Sequence, residues 1–235
     1  MLRRYFPLAA LALGMFLQVS PATLHALTLG PAGLATVSLP SVSIPLQEST
    51  RADFDRDGQA ESLVLASGRL TIFSSGGPAW QSPASWDVIQ AAVTDLNHDG
   101  LPEATMLVWR PFRPWPVDQW LPYGGRITPF QDASGQSCHI ILVGWRDGQF
   151  REVWAGSALA EPVRAFAAAD LKGTGNQYLV TLEGSYTESR LAPGKALKVW
   201  EWNGFGFSVV SSMVGSFEPF ALVQANPGRI LILVP

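Results

Sequence analysis

The chain has 235 residues, 47% of them apolar and 11% aromatic but only 15% charged, with 22 Gly, 18 Pro and nine Trp. That composition rules out a disordered chain and leaves room for a sizeable core. Sixteen basic residues, just three of them Lys, stand against nineteen acidic ones; the net charge is −3 and there is no basic stripe to follow a phosphate backbone, so nucleic acid is not an expected partner.

The first segment has the three parts of a secretory signal. Arg3 and Arg4 form a basic start, residues 7–19 are an uncharged apolar run, and Ser20-Pro21-Ala22 and Leu24-His25-Ala26 supply small residues for cleavage. The reading is a signal peptide over 1–22 cut after Ala22, with a cut after Ala26 as second choice and a single domain over 23–235. The expected location is extracytoplasmic: secreted, periplasmic or on the cell surface. Left uncleaved, the segment would anchor the chain in a membrane instead. No other run is apolar over about 20 residues, so no membrane span is expected after cleavage.

Further along, residues 36–39 and 42–45 alternate polar with apolar and predict two short strands. An acidic stretch at 53–61 leads into an apolar run at 63–65. A strand at 89–94 enters a second acidic stretch at 95–103, and another at 104–109 leaves it. After an insertion at 110–126, the chain reads as a hairpin of 139–145 and 150–154 around Asp147-Gly148. The pattern then repeats: strand 163–169, loop 170–178, strand 178–183, and a hairpin of 197–202 and 207–210 around Asn203-Gly204. Asp-Gly and Asn-Gly supply the positive φ values of tight hairpins. Strands at 220–224 and 229–234 follow. The single Cys138 sits in an apolar run and reads as a buried strand residue without a disulfide partner.

Asp53-Phe54-Asp55-Arg56-Asp57-Gly58-Gln59-Ala60-Glu61 overlays Asp95-Leu96-Asn97-His98-Asp99-Gly100-Leu101-Pro102-Glu103 without gaps, 42 residues later. A third copy starting at Asp170 keeps the first Asp and the Gly at position six. Trp80 and Trp154 precede the next acidic loop by fifteen and sixteen residues. A period near 40 with four strands per unit predicts an all-β, four-bladed propeller. The units run roughly over 47–84, 86–157, 160–215, and 218–235 completed by 36–45, so that strands from both chain ends close the last blade. An open arc closed by dimerisation is the alternative.

In the acidic loops, oxygen side chains at positions one, three and five share one side of a tight turn. Gly at six permits the turn, position seven offers a carbonyl, and Glu at nine reaches back. Such a loop supplies most of the six to eight oxygens that a hard cation such as Ca²⁺ takes. The competing reading is a metal-free turn whose carboxylates cap backbone amides. An EF-hand is excluded, because position twelve holds Val64 or Met106 and the flanks are strands.

These loops and their spacing make the chain resemble the FG-GAP/VCBS-type repeat proteins, whose blades, like those of integrin α-chain propellers, carry Asp-x-Asp-x-Asp-Gly-x-x-Asp/Glu calcium loops. The resemblance implies two Ca²⁺ sites, one of Asp53, Asp55, Asp57 and Glu61, the other of Asp95, Asn97, Asp99 and Glu103. It departs from the family at Asn97, in lacking the literal Phe-Gly…Gly-Ala-Pro signature, and at the third loop, where Lys172, Thr174 and Tyr178 replace ligands; that loop is expected to be empty.

The insertion interleaves Pro-stiffened aromatics with Arg, as recognition surfaces do. Arg113, Trp115, Trp120 and Tyr123 are the candidate residues for a protein or carbohydrate ligand, the alternative being that these rings fold into the core. No catalytic centre is expected. His25 lies at the signal, His98 within the second acidic loop beside the expected metal and His139 in a strand, none with an evident Ser, Cys or acid partner. A glycosidase pair could be drawn from Asp118, Asp132, Glu183 and Glu188. The overall expectation is an exported, calcium-stabilised binding or adhesion-type module, the alternatives being a carbohydrate-active or other extracytoplasmic enzyme on the same scaffold and a purely structural accessory domain.

Overall fold

The computed structural model describes residues 24–39, 43–114, 129–226 and 229–235. The predicted signal peptide, Trp115, Trp120 and Tyr123 lie outside the described residues. All regular structure within them is antiparallel β, and no helix is long and apolar enough to cross a membrane.

The strands form the four blades of a propeller. Blade 1 contains β4 (Arg51–Ala52), β5 (Glu61–Ala66), β6 (Arg69–Ser74) and β7 (Gly77–Gln81). Blade 2 contains β8 (Asp87–Thr94), β9 (Glu103–Pro111), β10 (Gln136–Arg146) and β11 (Gln149–Ala155). Blade 3 contains β12 (Val163–Ala169), β13 (Tyr178–Glu183), β14 (Gly194–Trp202) and β15 (Phe207–Phe217). The fourth blade joins β16 (Ala221–Asn226) and β17 (Arg229–Val234) to β1 (His25–Gly30) and β2 (Gly33–Val37), with β3 (Ile44–Pro45) along the far edge of β16.

Both ends of the chain thus close the last blade, as expected, but through different strands. β1 pairs His25, Ala26 and Leu27 with Val234, Leu233 and Ile232, and β2 covers its other edge. The expected strand at 36–39 starts earlier and ends at Val37. That at 42–45 is reduced to Ile44–Pro45, both exposed. The reason lies in burial: Ala26, Leu27 and Leu29 are buried inside the blade, whereas Ile44 has no core to face.

Turn chemistry follows the sequence at one hairpin and departs at another. Asp147 and Gly148 have φ of 53° and 78°, the left-handed pair of a tight hairpin. Between β14 and β15 the chain pairs Trp202 with Phe207, so the loop is longer than Asn203-Gly204 alone. Asn203 Oδ1 accepts from the amides of Phe205 and Gly206 and rounds the loop by itself.

The core lies between blades, because each sheet has two faces to cover. Leu63, Ile72, Met106 and Ile141 join blades 1 and 2; Leu107, Ile140, Phe166 and Leu179 join blades 2 and 3; Leu27, Val180, Leu197, Leu222 and Ile232 join blades 3 and 4. The outer face of blade 4 carries only a small cluster of Ala26, Val223 and Leu231 with their neighbours. The connection from β3 to β4 stitches this side. Leu46 N donates to Leu222 O, while Ser49 O and Thr50 O accept from Val93 N and Leu63 N. Gln90 binds Glu48 and both main-chain groups of Phe166, tying β8 to β12. Cys138 is fully buried on β10, and burial pushes its thiol up to about 12.

Candidate functional site

The three repeat loops join equivalent strands and follow one backbone path. Their closing pairs are Ala52–Glu61, Thr94–Glu103 and Ala169–Tyr178. Positions four and six are left-handed each time, at φ of 62° and 89° for Arg56 and Gly58, 60° and 76° for His98 and Gly100, and 69° and 90° for Gly173 and Gly175. The first Asp accepts from the amide five residues on: Gly58 N to Asp53 Oδ2 at 3.0 Å, Gly100 N to Asp95 Oδ2 at 3.1 Å, and Gly175 N to Asp170 Oδ2 at 2.6 Å. The loops also touch one another on this end of the blades. Arg56 donates to Gly100 O, His98 Nε2 donates to Gln177 O, and Gln177 Oε1 accepts from Asp95 N.

Their carboxylates divide them. In the third loop, Asp170 uses both oxygens on backbone, Oδ1 accepting from Thr174 N at 3.0 Å. Tyr178 fills position nine, its hydroxyl donating to Glu201, with the Lys172 ammonium 5.0 Å over its ring. In the first two loops, Asp53 Oδ1 and Asp95 Oδ1 are buried with no hydrogen-bond partner. Asp53, Asp55 and Glu61 bring carboxylate oxygens within 4.8 Å of one another, and so do Asp95, Asp99 and Glu103. Buried oxygens that converge without donors repel one another, and a bound cation relieves this. Asp57 stands outside the first cluster, and Asn97 repeats the local bond that Asp55 makes to the amide two residues on. Asp57 Oδ1 accepts from Gln59 N at 2.7 Å, and Asn97 Oδ1 accepts from Asp99 N at 2.9 Å.

The position-nine acids differ too. Glu61, 2% exposed, accepts from Phe54 N at 2.8 Å. Glu103 is 0% exposed with neither oxygen hydrogen-bonded. Burial, then the charges of Asp99 and Asp95, push its carboxyl up to about 8 against the pull of Arg146 and of the nearby Leu96 amide. Arg146 comes from the end of β10. Its guanidinium pairs with Asp99 and lies 3.5 Å from Glu103 Oε1, so the second loop already has a cation at its rim. No counterpart among the ion pairs of the described residues engages Asp53, Asp55 or Glu61.

The β9–β10 insertion leaves blade 2 at the opposite end of its strands from the second acidic loop, as antiparallel order requires. Arg113 is exposed there and lines a cavity of about 460 Å³ together with Trp86, Arg110, Ser137, His139 and Glu152. Ser137 and His139 share one face of β10, and Ser137 Oγ stands 2.8 Å from His139 Nε2. His139 therefore has the Ser partner that the sequence did not reveal. Burial and the Arg110 charge lower this imidazole to about 4, which makes it a weak base, and Ser137 is 1% exposed. Of the four acids considered for glycoside cleavage, Asp118 lies outside the described residues. Asp132 binds Arg190 at 2.8 Å, Glu183 binds Lys198 at 2.6 Å and Glu188 binds Lys195 at 3.0 Å.

No family model matches the chain, and neither does any curated protein. Among solved structures, it is similar to BBS1N in a complex with ARL6DN. The identity is 10% and the TM-score 0.26, over 82% of this chain and 69% of that one. The blade architecture rests on this chain's own four sheets.

Proposed function

We propose that the chain is an exported, calcium-stabilised β-propeller of the FG-GAP/VCBS type that acts as a non-catalytic binding module. Its cation sites lie at one end of the blades, and a protein or carbohydrate ligand is received at the other, beside the insertion. The observation that carries the calcium reading is the contrast between loops of identical path: Asp170 satisfies both oxygens on backbone, while Asp53 and Asp95 each keep one buried oxygen without a donor. A turn needing its Asp only as an amide cap would look like the third loop. Export is supported by the basic, apolar and small-residue parts of 1–22, and extracellular calcium suits sites with dissociation constants on the order of 10⁻⁴–10⁻³ M.

The test is thermal unfolding of the full chain with calcium and with chelator. At a calcium concentration about a hundredfold above the dissociation constant, each site adds about 2.7 kcal/mol. For a domain of this size that raises the midpoint by about 5–10 °C per site. Asp55→Ala should remove the share due to the first loop, and coincident midpoints for the wild type would overturn the assignment. Because Arg146 must give way at the second loop, calorimetry should resolve a tighter first and a weaker second step. Arg146→Ala is expected to tighten the weaker step about tenfold, the effect of removing one competing charge at the rim; an unchanged second step would show that Arg146 does not compete.

A further inference from the structure

The cavity at the insertion end of blade 2 sets two arginines, Arg110 and Arg113, against one acid, Glu152, among its described lining residues. Arg110, on β9, extends over Trp86 with its guanidinium carbon 5.7 Å from the ring centre. Its Nη2 lies 3.4 Å from His139 Nδ1. That nitrogen is also 3.0 Å from Gly156 O, which can only accept, so Nδ1 must carry the imidazole proton. Nε2 is then the acceptor, and Ser137 Oγ donates to it. Nδ1 therefore has no lone pair to offer a guanidinium, which can only donate, and the Arg110–His139 approach is a contact without a hydrogen bond. None of the ion pairs among the described residues involves Arg110. Arg113 and Glu152 line the same cavity; the Glu152 carboxylate favours the Arg110 charge, the Arg113 charge opposes it, and two guanidiniums against one carboxylate leave the described lining net positive.

A half-buried guanidinium facing a cavity, with a second one and a single carboxylate in the same lining and a neutral imidazole below, keeps one positive charge in excess for a negative ligand group. We infer that this cavity is a ligand site that takes an oxyanion, the carboxylate, sulfate or phosphate group of a small molecule or of an acidic sugar residue, on Arg110 and Arg113. The planar fork of an arginine matches two oxygens of such a group at once. Glu152 on the cavity wall repels a second anionic group and accepts hydrogen bonds from hydroxyls, which favours a singly charged, hydroxylated ligand. At about 460 Å³ the space is of the size that small-molecule sites use. The inference deepens the reading of the insertion end as the ligand face and does not depend on calcium.

The experiment titrates the calcium-loaded full chain with galacturonate, inorganic sulfate, inorganic phosphate and neutral galactose, following backbone amide and tryptophan indole resonances. At least one anion should give a saturable shift, and galactose none. Arg110→Gln should weaken that binding by about tenfold or more, the loss of a charge-assisted contact, and Arg113→Glu severalfold. Arg113 is exposed, so its variant keeps the test valid if Arg110→Gln does not fold. A preference for galacturonate identifies an organic acid as the source of the oxyanion, and a preference for sulfate or phosphate an inorganic ester. Absence of saturable binding by every anion, equal binding of galactose, or anion binding unchanged in the folded variants overturns the inference. A calcium-dependent rise in melting temperature without anion binding would sink this site alone, whereas anion binding without that rise would sink only the calcium reading.

Discussion

A chain lacking residues 25–30 is expected to lose its cooperative thermal transition. β1 is an interior strand, with β17 on one edge and β2 on the other. Without it, β2 has no partner strand within the blade, and the edge of β17 carrying Ile232, Leu233 and Val234 is left bare. Leu27, 1% exposed, faces the core shared by blades 3 and 4. Leu27→Ala alone should cost about 2–5 kcal/mol, a large share of the roughly 5–15 kcal/mol that holds a domain folded. In a chain of this size that lowers the melting midpoint by about 10 °C. Circular dichroism reads both outcomes, and an unaltered midpoint for Leu27→Ala would show that β1 contributes no closure. The same pairing separates the two predicted signal cuts. Cleavage after Ala26 would remove the residues paired with Val234 and Leu233, whereas cleavage after Ala22 leaves β1 whole.

The second large effect has the opposite sign with and without the cation. Glu103→Gln should raise the melting midpoint in chelator and shrink the calcium-dependent increment. Glu103 is fully buried between Asp95 and Asp99, with neither oxygen hydrogen-bonded and only a 3.5 Å approach from Arg146. In the absence of metal its raised carboxyl must take up a proton on folding at neutral pH, which costs stability, and the isosteric amide avoids that uptake. The expected gain in chelator is about 2 kcal/mol, or about 4–8 °C. In saturating calcium the variant should fall below the wild type, since the second loop has lost a ligand. If the variant melts lower in both conditions by a similar amount, Glu103 acts through packing and the second loop is not a cation site. Comparison with Asp55→Ala then shows which loop dominates the calcium response.

Periodicity carried far in this chain. The repeat fixes where loops stand relative to strands, and three predicted strands, 163–169, 178–183 and 229–234, have the limits of β12, β13 and β17. Local rules sufficed there because apolar residues buried on both faces make continuous runs bounded by turn residues. β1 was hidden because the small residues that suit a cleavage site also suit a strand between two others. Arg146 at the second loop was illegible for another reason: it is 47 positions beyond Asp99 and arrives from a hairpin end that only the register of β10 brings near. The acidic loops were readable as motifs, but the orphaned oxygens that distinguish the first two from the third appear only when each hydrogen bond is traced. The oxyanion cavity draws on β9, β10, β11 and the turn before β8, so no window of sequence contains it. Arg113 was the one member already singled out.

The pairing of β1 with β17 also sets the order of events in time. A chain that emerges N-terminus first presents β1 early, yet its partner is the last strand to appear, with His25 matched to Val234. Loop closure over that separation is entropically slow, and the ring cannot shut while any part of β17 is still to come. Until both ends are present together, the unpaired edges of β1 and β16 are what a chaperone would hold.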